Sequence, residues 1–241
     1  MFSYSIGGRK KQRLGISTNE EYVELILGRQ TELQFLNGFE HPQTDLITKD
    51  GLSRFNWGLI PSWVKTAEDA SKLRKQTLNA VSETVFEKPS FRQPIRTKRC
   101  LIPSSGFFEW RHEGKFTYPH YISLKNTDIF FFAGIYDEWT DRTTGEIIPT
   151  YSILTTEANP LMAKIHNTKK RMPVILPAGM EKVWLDTSLK EPDIKELCKP
   201  LDQDLMEAYT INRIRPSQAM ANKEEALQPF HYPELEKNEL F

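Results

Sequence analysis

The chain has 241 residues, 39% hydrophobic and 27% charged, with 32 Lys+Arg against 32 Asp+Glu and a formal net charge of zero. That length carries one sizeable core or two small ones at most, in an ordinary globular composition. No apolar run approaches the ~20 residues a membrane span needs, and the two cysteines, Cys100 and Cys198, argue for a reducing compartment and against structural disulfides or a cysteine-rich zinc module.

The N-terminal stretch is basic at Arg9, Lys10, Lys11 and Arg13, but no apolar segment follows, so it does not read as a secretory signal and a cytoplasmic protein is expected. Thr18-Asn19-Glu20-Glu21 has the capping-box spacing ahead of an apolar run and predicts a helix over 18–29. Residues 45–48 and 54–60 read as strands, the second ended by Pro61. Residues 66–76 read as a helix. Strands are expected at Cys100–Pro103, Phe107–Trp110, Pro119–Leu124, Ile129–Trp139 and Tyr151–Thr155, with turns at Gly114-Lys115 and 141–145. Ala158 to Ile165 should form a short helix leading to His166. A strand at 174–176, helices near 179–187 and 191–198 and a strand near 207–212 complete the domain. Closely spaced strands of this kind imply an antiparallel sheet or partly closed barrel, and one α+β domain over residues 1–221 is the simplest account, with a loosely packed charged tail at 222–241.

Charge is unevenly placed. Residues 70–99 hold eight Lys/Arg against Glu83 and Glu87, while residues 181–241 hold eight Lys/Arg against thirteen Asp/Glu. A basic middle in a neutral whole fits a groove for a polyanion; it is equally what a solvated helical face looks like.

Glu109 stands in an aromatic strand, Gly106-Phe107-Phe108-Glu109-Trp110, and shares a face with Phe107 because neighbours in a strand point to opposite sides. On an internal face it would suit proton transfer; on a solvent face it would do nothing. His166 ends an apolar helix and opens a basic loop, where a His is a general acid, a phosphate contact or simply structural. Asn79 follows a helical region and reads as a cap or turn residue, and Glu83 could pair with a nearby Arg. Trp57, Trp63 and Trp110 are either stacking surfaces for unpaired bases or core; Trp57 reads as core and Trp63 as exposed. The five histidines show no metal-ligand spacing, and there is no Gly-rich phosphate loop or nucleophile elbow, so no metal or cofactor is expected. Cys100 reads as inert core.

Taken together, Trp57-Gly58-Leu59-Ile60-Pro61-Ser62-Trp63, Asn79-Ala80 with Glu83-Thr84, Arg99-Cys100-Leu101-Ile102-Pro103, Gly106-Phe107-Phe108-Glu109-Trp110, Phe132-Ala133-Gly134-Ile135-Tyr136, Thr155-Thr156 with Ala158-Asn159, and His166 with Arg171-Met172-Pro173 resemble the SRAP family (SOS response-associated peptidases, abasic-site processing proteins) over nearly the whole chain. The resemblance implies a compact α+β fold around a barrel-like core, a monomer that acts on abasic sites in single-stranded DNA in the DNA damage response. In that family an N-terminal cysteine, exposed by self-removal of the initiator Met, crosslinks to the abasic aldehyde. The resemblance makes Asn79 the residue that orients the nucleophile, Glu109 the proton-shuttling carboxylate and His166 the acid that assists sugar-ring opening. It places Trp63, Arg92, Trp110 and Arg171 among DNA-contacting or site-supporting positions. Two positions depart: Phe2 stands where the family has its cysteine, and Val81 where it usually has an Arg. Without a thiol a thiazolidine cannot form, so the resemblance leaves either an amine-based lyase chemistry, a non-covalent shield of single-stranded or junction DNA, or an autoprocessing peptidase without DNA chemistry.

Overall fold

The structure, a computed structural model, describes residues 3–6, 26, 34–213 and 226–237. Phe2, the capping box at Thr18 and the body of the helix expected over 18–29 lie outside the described residues.

Two sheets make up the molecule. The first contains β1 (Ser3–Ile6), β2 (Gln34–Asn37), β7 (Gly106–Glu113), β8 (Phe116–Leu124) and β12 (Met206–Thr210), in the order β12-β8-β7-β1-β2 and antiparallel throughout. The second contains β3 (Gln43–Thr48), β4 (Gly51–Trp57), β6 (Arg99–Ser104), β9 (Phe130–Thr140) and β10 (Ile147–Glu157). Because β10 pairs with both β4 and β9, these five strands close on themselves as a barrel. The β4–β10 seam is parallel, as is the pairing of the short β5 (Asn79–Val81) with β10, so the barrel is mixed rather than purely antiparallel. β11 (Arg171–Pro173) extends the sheet on β10. Among the described residues six short helices are peripheral: α1 (Ala67–Arg74), α2 (Pro94–Thr97), α3 (Pro160–Ile165), α4 (Glu181–Leu185), α5 (Glu191–Leu197) and α6 (Pro233–Lys237). None of the described helices is long and apolar enough to cross a membrane.

The local chemistry explains these elements. The β7–β8 hairpin turns at Gly114-Lys115, with Gly114 at φ 57°, the left-handed region that glycine enters without strain. In α3, Asn159 accepts from the Met162 amide and Pro160 takes the first helical position, where its missing N–H costs nothing. The strand expected at 174–176 is one bridge, Phe132 to Ile175, flanked by Val174 N–H to Leu154 O at 2.8 Å and Leu176 N–H to Phe131 O at 3.0 Å; the ladder itself forms three residues earlier, at β11.

One apolar cluster joins the two sheets. It includes Tyr4 and Phe107 from the first and Leu46, Trp57, Leu101, Phe132 and Ile153 from the second. The Trp57 indole N–H is satisfied by Leu78 O at 2.8 Å, so this Trp is core. Cys100 is buried among these side chains, and burial pushes its thiol far above the ordinary value; Cys198 is pushed up to about 12 for the same reason. A second cluster lies on the other side of β7, with Phe108, Tyr121 and Ile211 packed against Phe35. Part of the C-terminal segment is anchored there: Pro229 bridges Ile211, the Phe230 amide donates to Thr210 O at 2.8 Å, and the buried Tyr232 donates to Ile211 O at 3.0 Å.

Candidate active site

Glu109 sits midway along β7. Both faces of this strand are covered at its start, Phe107 by the main core and Phe108 by the second cluster. Strand alternation puts Glu109 on the Phe107 side, and it is 5% exposed. This is the internal of the two placements open to the sequence. Its carboxyl is therefore largely shielded from bulk water. Across the hairpin its partner is His120, also buried. Burial lowers the His120 pKa against the opposing effect of its Nδ1 bond to Tyr118 O at 2.9 Å, with Arg111 adding to the lowering. His120 carries no local signal, because its pairing with Glu109 is set by hairpin register.

The N-terminal strand approaches the same place. Tyr4 lies opposite Phe107 and Ser5 opposite Gly106, so in this antiparallel seam β1 starts on the Glu109 side. The seam is bound by hydroxyls: Ser5 Oγ is 3.1 Å from Ser105 Oγ and 3.2 Å from Tyr121 Oη, and Tyr121 donates to Ser105 O at 3.1 Å. Gly106 is required here, since a Cβ would stand 2.2 Å from the Tyr121 ring.

Asn79 opens β5 and pairs with Ile153 of β10. It is therefore a strand residue rather than a cap or turn. The three residues Asn79–Val81 are too few for a periodic signal, and their partner is more than seventy positions away. Val81, two residues on, is exposed.

His166 terminates α3, and its Nδ1 lies 2.8 Å from Arg171 O. A carbonyl oxygen only accepts, so Nδ1 carries the proton and Nε2 is the atom that takes or gives one. The loop from His166 to Arg171 is tied at its base by Lys170 N–H to His166 O at 2.8 Å and by Ala158 N–H to Lys170 O at 3.0 Å. Arg171 then grips Glu83 with both terminal nitrogens at 2.7 Å and Thr155 O at 2.7 Å. Burial would raise the Glu83 pKa, but the Arg171 bonds outweigh it and hold the carboxyl below its ordinary value. Arg171 is thus committed inside the site, in a supporting role between β11, β10 and the segment after β5.

Asn167 was not visible in the sequence as a site residue. Its Oδ1 accepts from His112 N–H at 3.1 Å and its Nδ2 donates to His112 O at 2.7 Å, which fastens the His166 loop to β7. Glu109, His166, Arg171 and Glu83 are therefore linked through one run of strand and hydrogen bonds, and Asn79 joins them through β10.

Trp63 and Trp110 are 56% and 39% exposed, and Arg92 is exposed in the segment before α2. Trp63 borders an open groove of about 430 Å³ with Lys65, Asp69, Lys72, Leu73 and Gln76. The basic stretch is less of a strip than its composition implies. Arg99 is buried and donates to Trp184 O at 2.7 Å, Lys98 pairs with Asp137 at 2.8 Å, Arg96 with Glu191 at 3.2 Å and Lys72 with Glu68 at 2.6 Å. Lys75, Lys88 and Arg92 face solvent. Among the described residues no group of three or more His, Cys, Asp or Glu could hold a metal ion.

Comparison with known proteins identifies the family. The chain is 42% identical over 165 residues to the abasic site processing protein YoqW of Bacillus subtilis, a match that covers 68% of this chain and 70% of that protein. It is 33% identical over 201 residues to the abasic site processing protein HMCES of Gallus gallus, covering 74% of this chain and 58% of that longer protein. A crystal structure of a protein from Bacteroides thetaiotaomicron superposes with a TM-score of 0.83 at 43% identity, over 96% of this chain and 100% of that one. A Bordetella bronchiseptica protein shares the fold at a TM-score of 0.71 and 22% identity, over 88% of this chain and 100% of that one. The family model of SOS response associated peptidases matches residues 27–214, and the chain belongs to that SRAP family.

Proposed function

We propose that the protein processes abasic sites in single-stranded DNA as part of a DNA damage response, with Glu109 and His166 as the proton-transfer pair and Asn79 holding the attacking group. The observation that carries this reading is Glu109 buried on the core side of β7, with the β1 strand starting beside it. The abasic sugar equilibrates with an open-chain aldehyde. A primary amine adds to that carbonyl, a proton passes to the oxygen, and water leaves as the imine forms. In this reading His166 Nε2 supplies the proton for ring opening and Glu109 takes the proton the amine loses. Phe2 has no thiol to close on this imine, so the adduct is reversible and opens a lyase route. Trp63 and Trp110 offer faces for unpaired bases, and the solvent-facing Lys65 and Arg92 would hold phosphates.

The test uses a single-stranded oligonucleotide with one abasic site, with and without borohydride, followed by a denaturing gel. A retarded band only after reduction is expected for the native chain, and a band without reduction for Phe2→Cys. A band with Phe2→Cys alone would replace this reading with a non-covalent shield, which the exposed Trp63 and Trp110 also favour. No band from either protein would overturn the assignment of the site. An intact mass that lacks Met1 would add self-processing to the activity.

A further inference from the structure

We propose that Asn167 is a positioning residue that sets His166 against Glu109 by acting as a strand substitute on the edge of β7; this rests on the proton-transfer reading above. β1 pairs with β7 only at Phe107 and Gly106. Further along the strand, His112 presents its N–H and C=O to Asn167, whose single amide answers both at 3.1 and 2.7 Å. This is the pair of bonds a neighbouring strand would make. A side-chain amide carries a donor and an acceptor side by side, which is what this pair of bonds needs.

The position of this fastening gives it consequence. His112 is three residues from Glu109, about 10 Å along an extended strand. Asn167 is the immediate neighbour of His166, whose ring is already fixed on the other side by Arg171 O at 2.8 Å. The loop between them is closed by Lys170 N–H to His166 O, and Lys170 adopts φ 50° to close it. The histidine is thus tied at two points, to its own loop and to the strand that carries the carboxylate. Arg171 and Glu83 hold only the first of these. Releasing Asn167 leaves the ring bonded to its loop but frees the loop from β7. A displacement near 1 Å between two proton-transfer groups costs on the order of 100-fold in rate.

The experiment is a double-mutant cycle on abasic oligonucleotide processing with Asn167→Ala, His166→Gln and the pair. Asn167→Ala should slow the reaction at least about 10-fold while leaving oligonucleotide affinity within about 2-fold. The pair should be no slower than His166→Gln alone, because Asn167 acts only through His166. Losses that multiply in the pair, or a wild-type rate for Asn167→Ala, would overturn the proposal. Asn167→Asp keeps the acceptor but loses the donor, and should fall between the wild type and Asn167→Ala. If the wild-type protein leaves the oligonucleotide unchanged, the activity falls and the positioning is judged separately by relaxation of the labelled His166 ring. A ring that is rigid in the wild type and mobile in Asn167→Ala supports the tether; the same mobility in both refutes it.

Discussion

The two glutamates of the site are held in opposite ways. Glu83 is half-exposed and gripped by both terminal nitrogens of Arg171, which keeps it ionised. Glu109 is 5% exposed, on the core side of an aromatic strand and across from a buried histidine. The first arrangement spends a charge on architecture, as bidentate guanidinium–carboxylate pairs do. The second keeps a carboxyl away from bulk solvent, among protein groups. On the proposed reading, the carboxylate with the visible ion pair is the structural one and the buried carboxylate beside the aromatics is the chemical one.

That contrast is sharpest in rate. Glu109→Gln should lower abasic-site processing by about 100-fold or more with oligonucleotide binding retained, measured by single-turnover gel assay, because the amide preserves shape and removes the group that accepts the proton. Glu83→Gln should lose far less in rate; an equal loss from both would erase the distinction. The framework around Glu109 should be intolerant of added bulk. Gly106→Ala forces a methyl into the Tyr121 ring and should cost about 3 kcal/mol in urea unfolding, with processing impaired as the β1–β7 seam shifts. Arg171→Lys keeps the charge but loses the fork that matches Glu83; as that pair is partly solvated, the expected loss is about 1 kcal/mol or less, read as a small drop in urea midpoint.

The smallest effect is in pH. His41 and His120 are both lowered from 6.5 chiefly by burial. The unfolded chain therefore takes up protons before the folded one does, and stability declines as pH falls below 6.5 until the lowered folded values are passed. Glu83 works in a separate window: its stabilisation is complete above 4.5 and is lost as pH falls through its lower folded value. A thermal-melt series should show both declines. The His41→Gln, His120→Gln double variant should flatten only the upper one, and Glu83→Gln only the lower.

Residues with strong local signals were legible. Aromatic and β-branched runs marked β7 to β10, residues 158–165 read as the helix that forms α3, and the alternation rule put Glu109 on the Phe107 side. What the sequence could not supply was which side faced the core, since that depends on Phe108 being covered by Phe35 and Tyr121. Short elements were hidden too. Ser3–Ile6 and Asn79–Val81 have too few residues to show a period and exist because distant strands accept them. The basic stretch misled by composition, as half of its charges are consumed by Glu68, Asp137, Glu191 and backbone carbonyls. Asn167 carried no signal at all, because its partner at His112 is 55 positions away.

The strand β10 has a consequence for how the chain assembles in time. It pairs with β4, β5, β9 and β11, drawn from both sides of it along the chain. The β9 partner can zip up as a hairpin within microseconds. The parallel partners must be brought in across about a hundred residues for β4 and about seventy for β5, at a loop-closure cost that no local contact offsets. Closure of the barrel is therefore the late event in folding. A chain emerging from the ribosome will hold β3 to β9 with an open edge until β10 has been made, and that edge is the nascent protein's point of exposure to aggregation.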